Sequence, residues 1–131
     1  MNFPPIGHVA LTVTDLDVSV PWYERLFDQK PALDEDVSGF HHTVFMLESG
    51  QGIGLHQFFD TEPDGPFSEH RAGMDHVAFG VADRSELSKW EKRLDELDIR
   101  HSGIVDAPYG SGLSFRDPDN IALEFFAPPA A

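Results

Sequence analysis

The chain contains no cysteine. That excludes disulfides, thiolate metal clusters and cysteine nucleophiles, so any metal would have to be held by nitrogen and oxygen. Positive charge is scarce: nine Lys and Arg stand against 23 Asp and Glu, a formal net charge of −14. Such a surface repels phosphate backbones and anionic headgroups, which excludes duplex DNA, RNA and anionic membranes as partners. Nowhere do eighteen apolar residues run together, and the opening Met-Asn-Phe-Pro-Pro has no basic stretch followed by an apolar one. The expectation is a soluble, cytoplasmic protein. No G-x-S-x-G, P-loop or dinucleotide fingerprint occurs. What remains is a chain of 131 residues, 40% hydrophobic, long enough to bury roughly two-thirds of its unfolded surface without staples.

The chain repeats itself. At an offset of 68, His8-Val9-Ala10 lies over His76-Val77-Ala78, Val13 over Val81, Asp15 over Asp83, Trp22 over Trp90 and Arg25-Leu26 over Arg93-Leu94. Unrelated segments of this length share about one or two identities. Ile53, Leu55 and Phe58 lie over Ile121, Leu123 and Phe126 at the same offset. Within residues 1–131, read as a single domain, this defines two modules, 4–60 and 72–128, joined by a turn-rich, charged linker at 61–71.

Both modules open on an alternating strand (Val9, Leu11, Val13; Val77, Phe79, Val81) followed by helical spacing. Asp83 with Glu86 forms a capping-box pattern, and Leu87, Trp90, Leu94 and Leu97 follow at helical intervals. Pro21 delays or bends the first helix. Short strands follow near 32–35, 43–48 and 52–59, and again near 104–105, 113–116 and 121–126. The order is βαβββ, twice. The expected fold is α+β: a concave mixed sheet built from two βαβββ modules, with helices on its outer face.

If the apolar phase of each strand faces the helices, the other phase carries the chemistry. There the first strands place His8, Ala10 and Thr12, and His76, Ala78 and Gly80; the last strands place Gly54, His56 and Phe58, and Ala122, Glu124 and Phe126. His8, His56, His76 and Glu124 therefore share the non-helix face and pair by the 68-residue offset. A pseudo-twofold axis between the modules would bring these four together. Imidazole and carboxylate suit one divalent ion: Zn, Ni, Co, Fe or Mn. Glu124, set in Ile-Ala-Leu-Glu-Phe-Phe, is costly to bury without a cation or strong donors. Other polar residues read first as structural: His42 shares a phase with Val44 and Met46 that would face the cleft, but at a strand start it reads as peripheral, and His41, His70 and His101 are solvated. Glu69-His70-Arg71 is solvated linker or else a cation offered at a cleft mouth, Asp117-Pro-Asp-Asn120 a turn, and the two tryptophans are core.

His8-Val-Ala-Leu-Thr-Val with Asp15 and Trp22-Tyr23, His76-Val-Ala-Phe, and Phe115-Arg-Asp-Pro-Asp-Asn-Ile-Ala-Leu-Glu124 resemble the vicinal oxygen chelate superfamily, which includes glyoxalase I, methylmalonyl-CoA epimerase, extradiol dioxygenases, and fosfomycin- and bleomycin-resistance proteins. The resemblance spans essentially the whole chain. It implies metal ligands on the first and last strands of each module, at the same four positions, and commonly a homodimer. It implies a glyoxalase-like lyase or isomerase moving a proton on a small metal-chelating oxygenated substrate, with Glu124 as base and His56 on the opposite face. Two alternatives stay open: a bleomycin-resistance-like protein sequestering a cationic small molecule, and an extradiol-type dioxygenase. Thr12 stands where bacterial glyoxalase I has an Arg that contacts glutathione, and His56 where it has Glu, so glutathione is not the expected co-substrate.

Overall fold

The structure, a computed structural model, describes residues 1–130; the last alanine of the Pro-Pro-Ala-Ala tail lies outside the described residues. The chain divides into two compact units, one ending at Gly65 and the other beginning at Pro66. In the first, β1 (His8–Thr12) leads into α1 (Leu16–Phe27), then β2 (Leu33–Val37), β3 (Phe40–Met46) and β4 (Gly52–Phe58). In the second, β5 (Val77–Gly80), α2 (Arg84–Glu96), β6 (His101–Ala107), β7 (Gly110–Arg116) and β8 (Ala122–Ala127) repeat the order. The α+β class and the twofold βαβββ order are as expected. Hydrogen bonding divides the strands into two mixed sheets of four, β1-β4-β3-β2 and β5-β8-β7-β6. In each, the first strand runs parallel to the last, because the helix crosses over between them.

α1 starts where Asp15 caps it, its carboxylate accepting from Asp17 N at 2.9 Å, while Gln57 Oε1 of β4 accepts from Leu16 N at 2.8 Å. The helix does not start late: it begins at Leu16 and Pro21 lies inside it. An internal proline costs about 3 kcal/mol, and these two bonds to otherwise orphaned N–H groups help offset it. α2 is capped as its sequence predicts, Asp83 accepting from Glu86 N. Leu11, Val13, Tyr23, Leu26, Phe45 and Leu55 are buried in the first unit; Leu87, Leu94, Leu113, Phe115 and Leu123 are buried in the second. Each fully buried leucine is worth about 1.5–3 kcal/mol. Trp22 and Trp90 are half-buried rather than core; Trp90 stacks on Phe125 at 4.2 Å.

Phe67 N donates to Asp119 O, Asn120 Nδ2 donates to Phe67 O, and Arg116 grips Glu69, so the segment from Pro66 groups with the second unit. One sequence expectation needs correction. The repeat does not keep one offset. The helix N-caps Asp15 and Asp83 are 68 apart, but the left-handed residues that follow the helices, Asp28 and Asp98, are 70 apart. The positive-φ turn residues Gly50 and Asn120, and the two-residue hairpins Val37–Phe40 and Ala107–Gly110, also follow 70. Two additional residues near the end of α2 shift all later strands. Among the described residues no helix is long and apolar enough to cross a membrane.

Candidate functional site

The shifted offset changes which residues correspond. In the second unit Ala78 pairs with Glu124; in the first, Ala10 pairs with Gly54 and Thr12 with His56. Glu124 therefore corresponds to Gly54, and His56 to Phe126. The expected equivalence of His56 and Glu124 fails because it carries the helix's offset into the strands beyond it. His56 partly makes up the difference: its ring leans back over Gly54, with Nε2 3.5 Å from where a Cβ would sit. Glu124, for its part, lies over Gly112.

The structure brings His76 and Glu124 together, Nε2 to Oε2 at 3.8 Å. Two donors each about 2.1 Å from one ion lie no more than about 4.2 Å apart, so this pair fits a divalent cation. Asp75 Oδ1 sits 2.8 Å from His76 Nδ1. A carboxylate behind an imidazole fixes the tautomer and leaves Nε2 free to donate its lone pair. His76 is exposed and Glu124 half-buried. In the first unit His8 is exposed on β1, and its charge, with that of His42, acts on His56. Burial, the larger effect, pushes His56 below the usual histidine range. Donors thus come as pairs; among the described residues no group of three or more His, Cys, Asp or Glu is arranged to hold a metal.

Sequence reasoning placed His42 at the periphery, yet it lies on the same face as His56, ring centres 5.5 Å apart, with Nε2 3.1 Å from Glu35 Oε1. Its alternation with Val44 and Met46 was the available signal. His41 is not simply solvated: it bridges Asp36 at 2.6 Å and Asp34 at 2.5 Å, which raise its pKa. These groups, with Asp17, line a cavity of about 490 Å³ on the helix side of the first sheet, opposite the face of His8 and His56. Asp117-Pro-Asp-Asn120 is a turn as expected, Asp117 accepting from the backbone of Asp119 and Ile121.

Two βαβββ units, with His8 on β1, His76 immediately before β5 and Glu124 on β8, define a paired-module α+β fold. Residues 5–125 match the Glyoxalase/Bleomycin resistance protein/Dioxygenase superfamily, and the chain belongs to that family. It is similar to the metallothiol transferase FosB of Bacillus licheniformis, 30% identical over 91% of this chain and 72% of that one. It is also 30% identical, over 94% of its length, to the putative ring-cleaving dioxygenase MhqA of Bacillus subtilis, of which it spans 39%. A glyoxylase/bleomycin resistance protein/dioxygenase domain from Frankia sp. EAN1pec superposes with a TM-score of 0.88 at 32% identity, covering 99% of this chain and 96% of that one. The fosfomycin resistance protein FosX of Listeria monocytogenes, crystallised with Mn(II) and 1S,2S-dihydroxypropylphosphonic acid, shares the fold: TM-score 0.66, 19% identity, 95% of this chain and 93% of that one.

Proposed function

We infer that this chain is a divalent-metal-dependent enzyme of the glyoxalase type, a lyase or isomerase that moves a proton on a small oxygenated substrate. The observation carrying this reading is the His76–Glu124 pair with Asp75 behind it. His76 and Glu124 would hold the ion in the second unit; His8, read from the sequence as a further donor, lies on β1 of the first. When bound, the ion supplies Lewis-acid stabilisation of negative charge on adjacent substrate oxygens. Glu124 accepts the substrate proton at Oε2, within reach of a ligand held beside His76. His56, the fourth member of the expected donor set, is assigned to proton transfer: it lies two residues beyond Gly54, the counterpart of Glu124 in the first unit, and burial pushes its imidazole below the usual histidine range. Mn(II) in FosX and the metal-dependent names among the relatives support a divalent ion; Zn, Ni, Co and Fe suit the same donors.

Metal analysis of chelator-free protein tests the site: about one ion per site in wild type and at least a tenfold loss in His76→Ala are expected, whereas equal, near-zero metal in both after reconstitution overturns it. Solvent deuterium exchange into 2-oxo and 2-hydroxy compounds tests the base, and exchange that survives Glu124→Gln in metal-loaded protein removes Glu124. Metal-dependent oxygen uptake with a catechol would replace proton transfer by the dioxygenase reading. A homodimer is expected by sedimentation; restored metal uptake on mixing His8→Ala with Glu124→Ala chains identifies donors shared between two chains.

One observation favours a second reading, sequestration of a cationic small molecule: the cavity lined by Asp17, Asp34 and Asp36 suits a cation. Thermal stabilisation by cationic drugs and not by metal ions would select it.

A further inference from the structure

The Glu124 carboxylate is placed by shape. Among the described residues no hydrogen bond holds it, and its one ion-pair partner is His76 Nε2 at 3.8 Å. It lies instead on bare backbone. A Cβ at Gly112 would meet the Glu124 carboxyl carbon and Oε1 at 3.3 Å each and Oε2 at 3.6 Å, so the whole carboxylate rests on this one glycine. The contact is diagonal: Glu124 stands directly opposite Ser114, whereas Gly112 stands opposite Phe126. A long side chain can reach a diagonal neighbour on the adjacent strand, and the absence of a side chain at residue 112 leaves the space for it.

Backbone conformation does not ask for glycine there. Gly103 and Gly110 have positive φ, +73° and +143°, whereas Gly112 does not, and the three atoms nearest to a Cβ at Gly112 all belong to the Glu124 carboxylate. Gly112 is inside β7, paired with Val105 of β6 on one side and with Phe126 of β8 on the other. Glycine inside a strand weakens it, because it loses more backbone freedom on folding and packs nothing, and it often marks the close approach of another group. Here that group is a carboxylate. The first unit repeats the device along a single strand: His56 leans over Gly54, which also lacks a positive φ, with Nε2 3.5 Å from where a Cβ would sit.

From these observations we propose that Gly112 is a positioning residue of the metal site: its missing side chain seats the Glu124 carboxylate and so sets the spacing between Glu124 Oε2 and His76 Nε2, a role that rests on the reading of His76 and Glu124 as donors. At 3.3 Å the carboxylate is already in tight contact with the place of a Cβ, so even a methyl group displaces it, and a branched side chain fills the seat. The carboxylate is the far end of a flexible side chain with no hydrogen bond to lose, so it moves at little cost to folding. The loss falls on the ion, whose donors must be held within about 0.5 Å of their working geometry.

Mn(II) titration and metal-free urea unfolding of the full chain test it. Gly112→Val is expected to weaken Mn(II) binding about tenfold or more and Gly112→Ala severalfold, as changes to groups that orient a ligand commonly do, with urea midpoints at or above wild type. In Glu124→Asp, whose carboxylate stops a methylene short of the seat, Gly112→Ala is expected to change Mn(II) binding by less than about twofold, whereas a general loosening of β7 would weaken both backgrounds alike. In metal-free protein Gly112→Val is expected to raise the urea midpoint more in Glu124→Ala than in wild type, since no carboxylate is then displaced. Wild-type Mn(II) affinity in Gly112→Val, an equal loss in the Glu124→Asp background, a midpoint lowered in both residue-112 variants, or equal midpoint shifts in the two metal-free backgrounds overturns the seat. Failure of the metal-site reading shows separately, as absence of Mn(II) uptake by wild type with the metal-free coupling of residues 112 and 124 intact.

Discussion

Asp36 with His41 in the first unit and Asp106 with Ser111 in the second are the same cross-strand pair, 70 residues apart, each closed at 2.6 Å. Around this shared contact the chemistry differs. His41 also reaches Asp34, so one imidazole ties two of the three carboxylates of an edge strand whose five residues are all exposed. Asp106 is gripped instead by Arg84 from the start of α2, at 2.7 and 3.0 Å. One edge is closed by an imidazole whose pKa its two carboxylates raise, the other by a guanidinium that stays charged. The same backbone has been given two different pH responses, and the cores below diverge in the same way. Where α2 buries Leu87, α1 buries Ser19, and Tyr23 fills the space against Trp22 and Phe27, with Phe27 in turn against Phe45.

The largest expected effect tests that aromatic core. Tyr23→Ala, at a fully buried position, is expected to destabilise by about 3–5 kcal/mol in urea unfolding. A loss under about 1 kcal/mol would mean that the first unit does not depend on its aromatic cluster. Next comes Gly110, whose counterpart in the first unit is Phe40. At φ +143° a Cβ would meet Phe126 Cζ at 2.3 Å and the Ala127 carbonyl oxygen at 2.5 Å. Gly110→Ala is therefore expected to cost roughly 3 kcal/mol, strain and overpacking together. Near-neutral unfolding there would show that β7 and β8 can move apart freely.

A smaller change of opposite sign is expected at Ser19. Its hydroxyl is buried without a hydrogen-bond partner, so Ser19→Ala removes an unsatisfied group and improves helix propensity, stabilising by about 1 kcal/mol. A destabilised variant would point to a partner for the hydroxyl. The smallest effect, and the sharpest test of the comparison, is in pH. Asp36 and Asp34 raise the His41 pKa, so its contribution is complete below the unfolded value of about 6.5 and is lost as pH rises through the folded one. Asp106 and Glu69 are held down to about 2, so their contributions are complete above the unfolded values and are lost as pH falls toward 2. Hydrogen exchange should show β2 loosening on the alkaline side and β6 with the Glu69 segment on the acid side; His41→Gln should abolish the alkaline loosening alone.

Local rules in the sequence determined a good deal. Strand alternation placed His8 and Glu124 on the face away from the helices, and Asp83 capped α2, because both depend on neighbours a few residues away. The internal identities established two βαβββ modules. Tertiary structure alone decided the register. Two more residues near the end of α2 leave the sequence identities at offset 68 intact while moving every later strand to 70, so His56 faces Thr12 and not Ala10. A slip of two residues preserves which face a side chain takes and changes only its level along the strand, and face is all that periodicity reports. The bridging of His41 and the locking of Arg116 by Glu69, 47 residues away, were unreadable for a related reason: a side-chain pair forms where the chain brings two groups within about 3 Å, and only the folded backbone sets that distance.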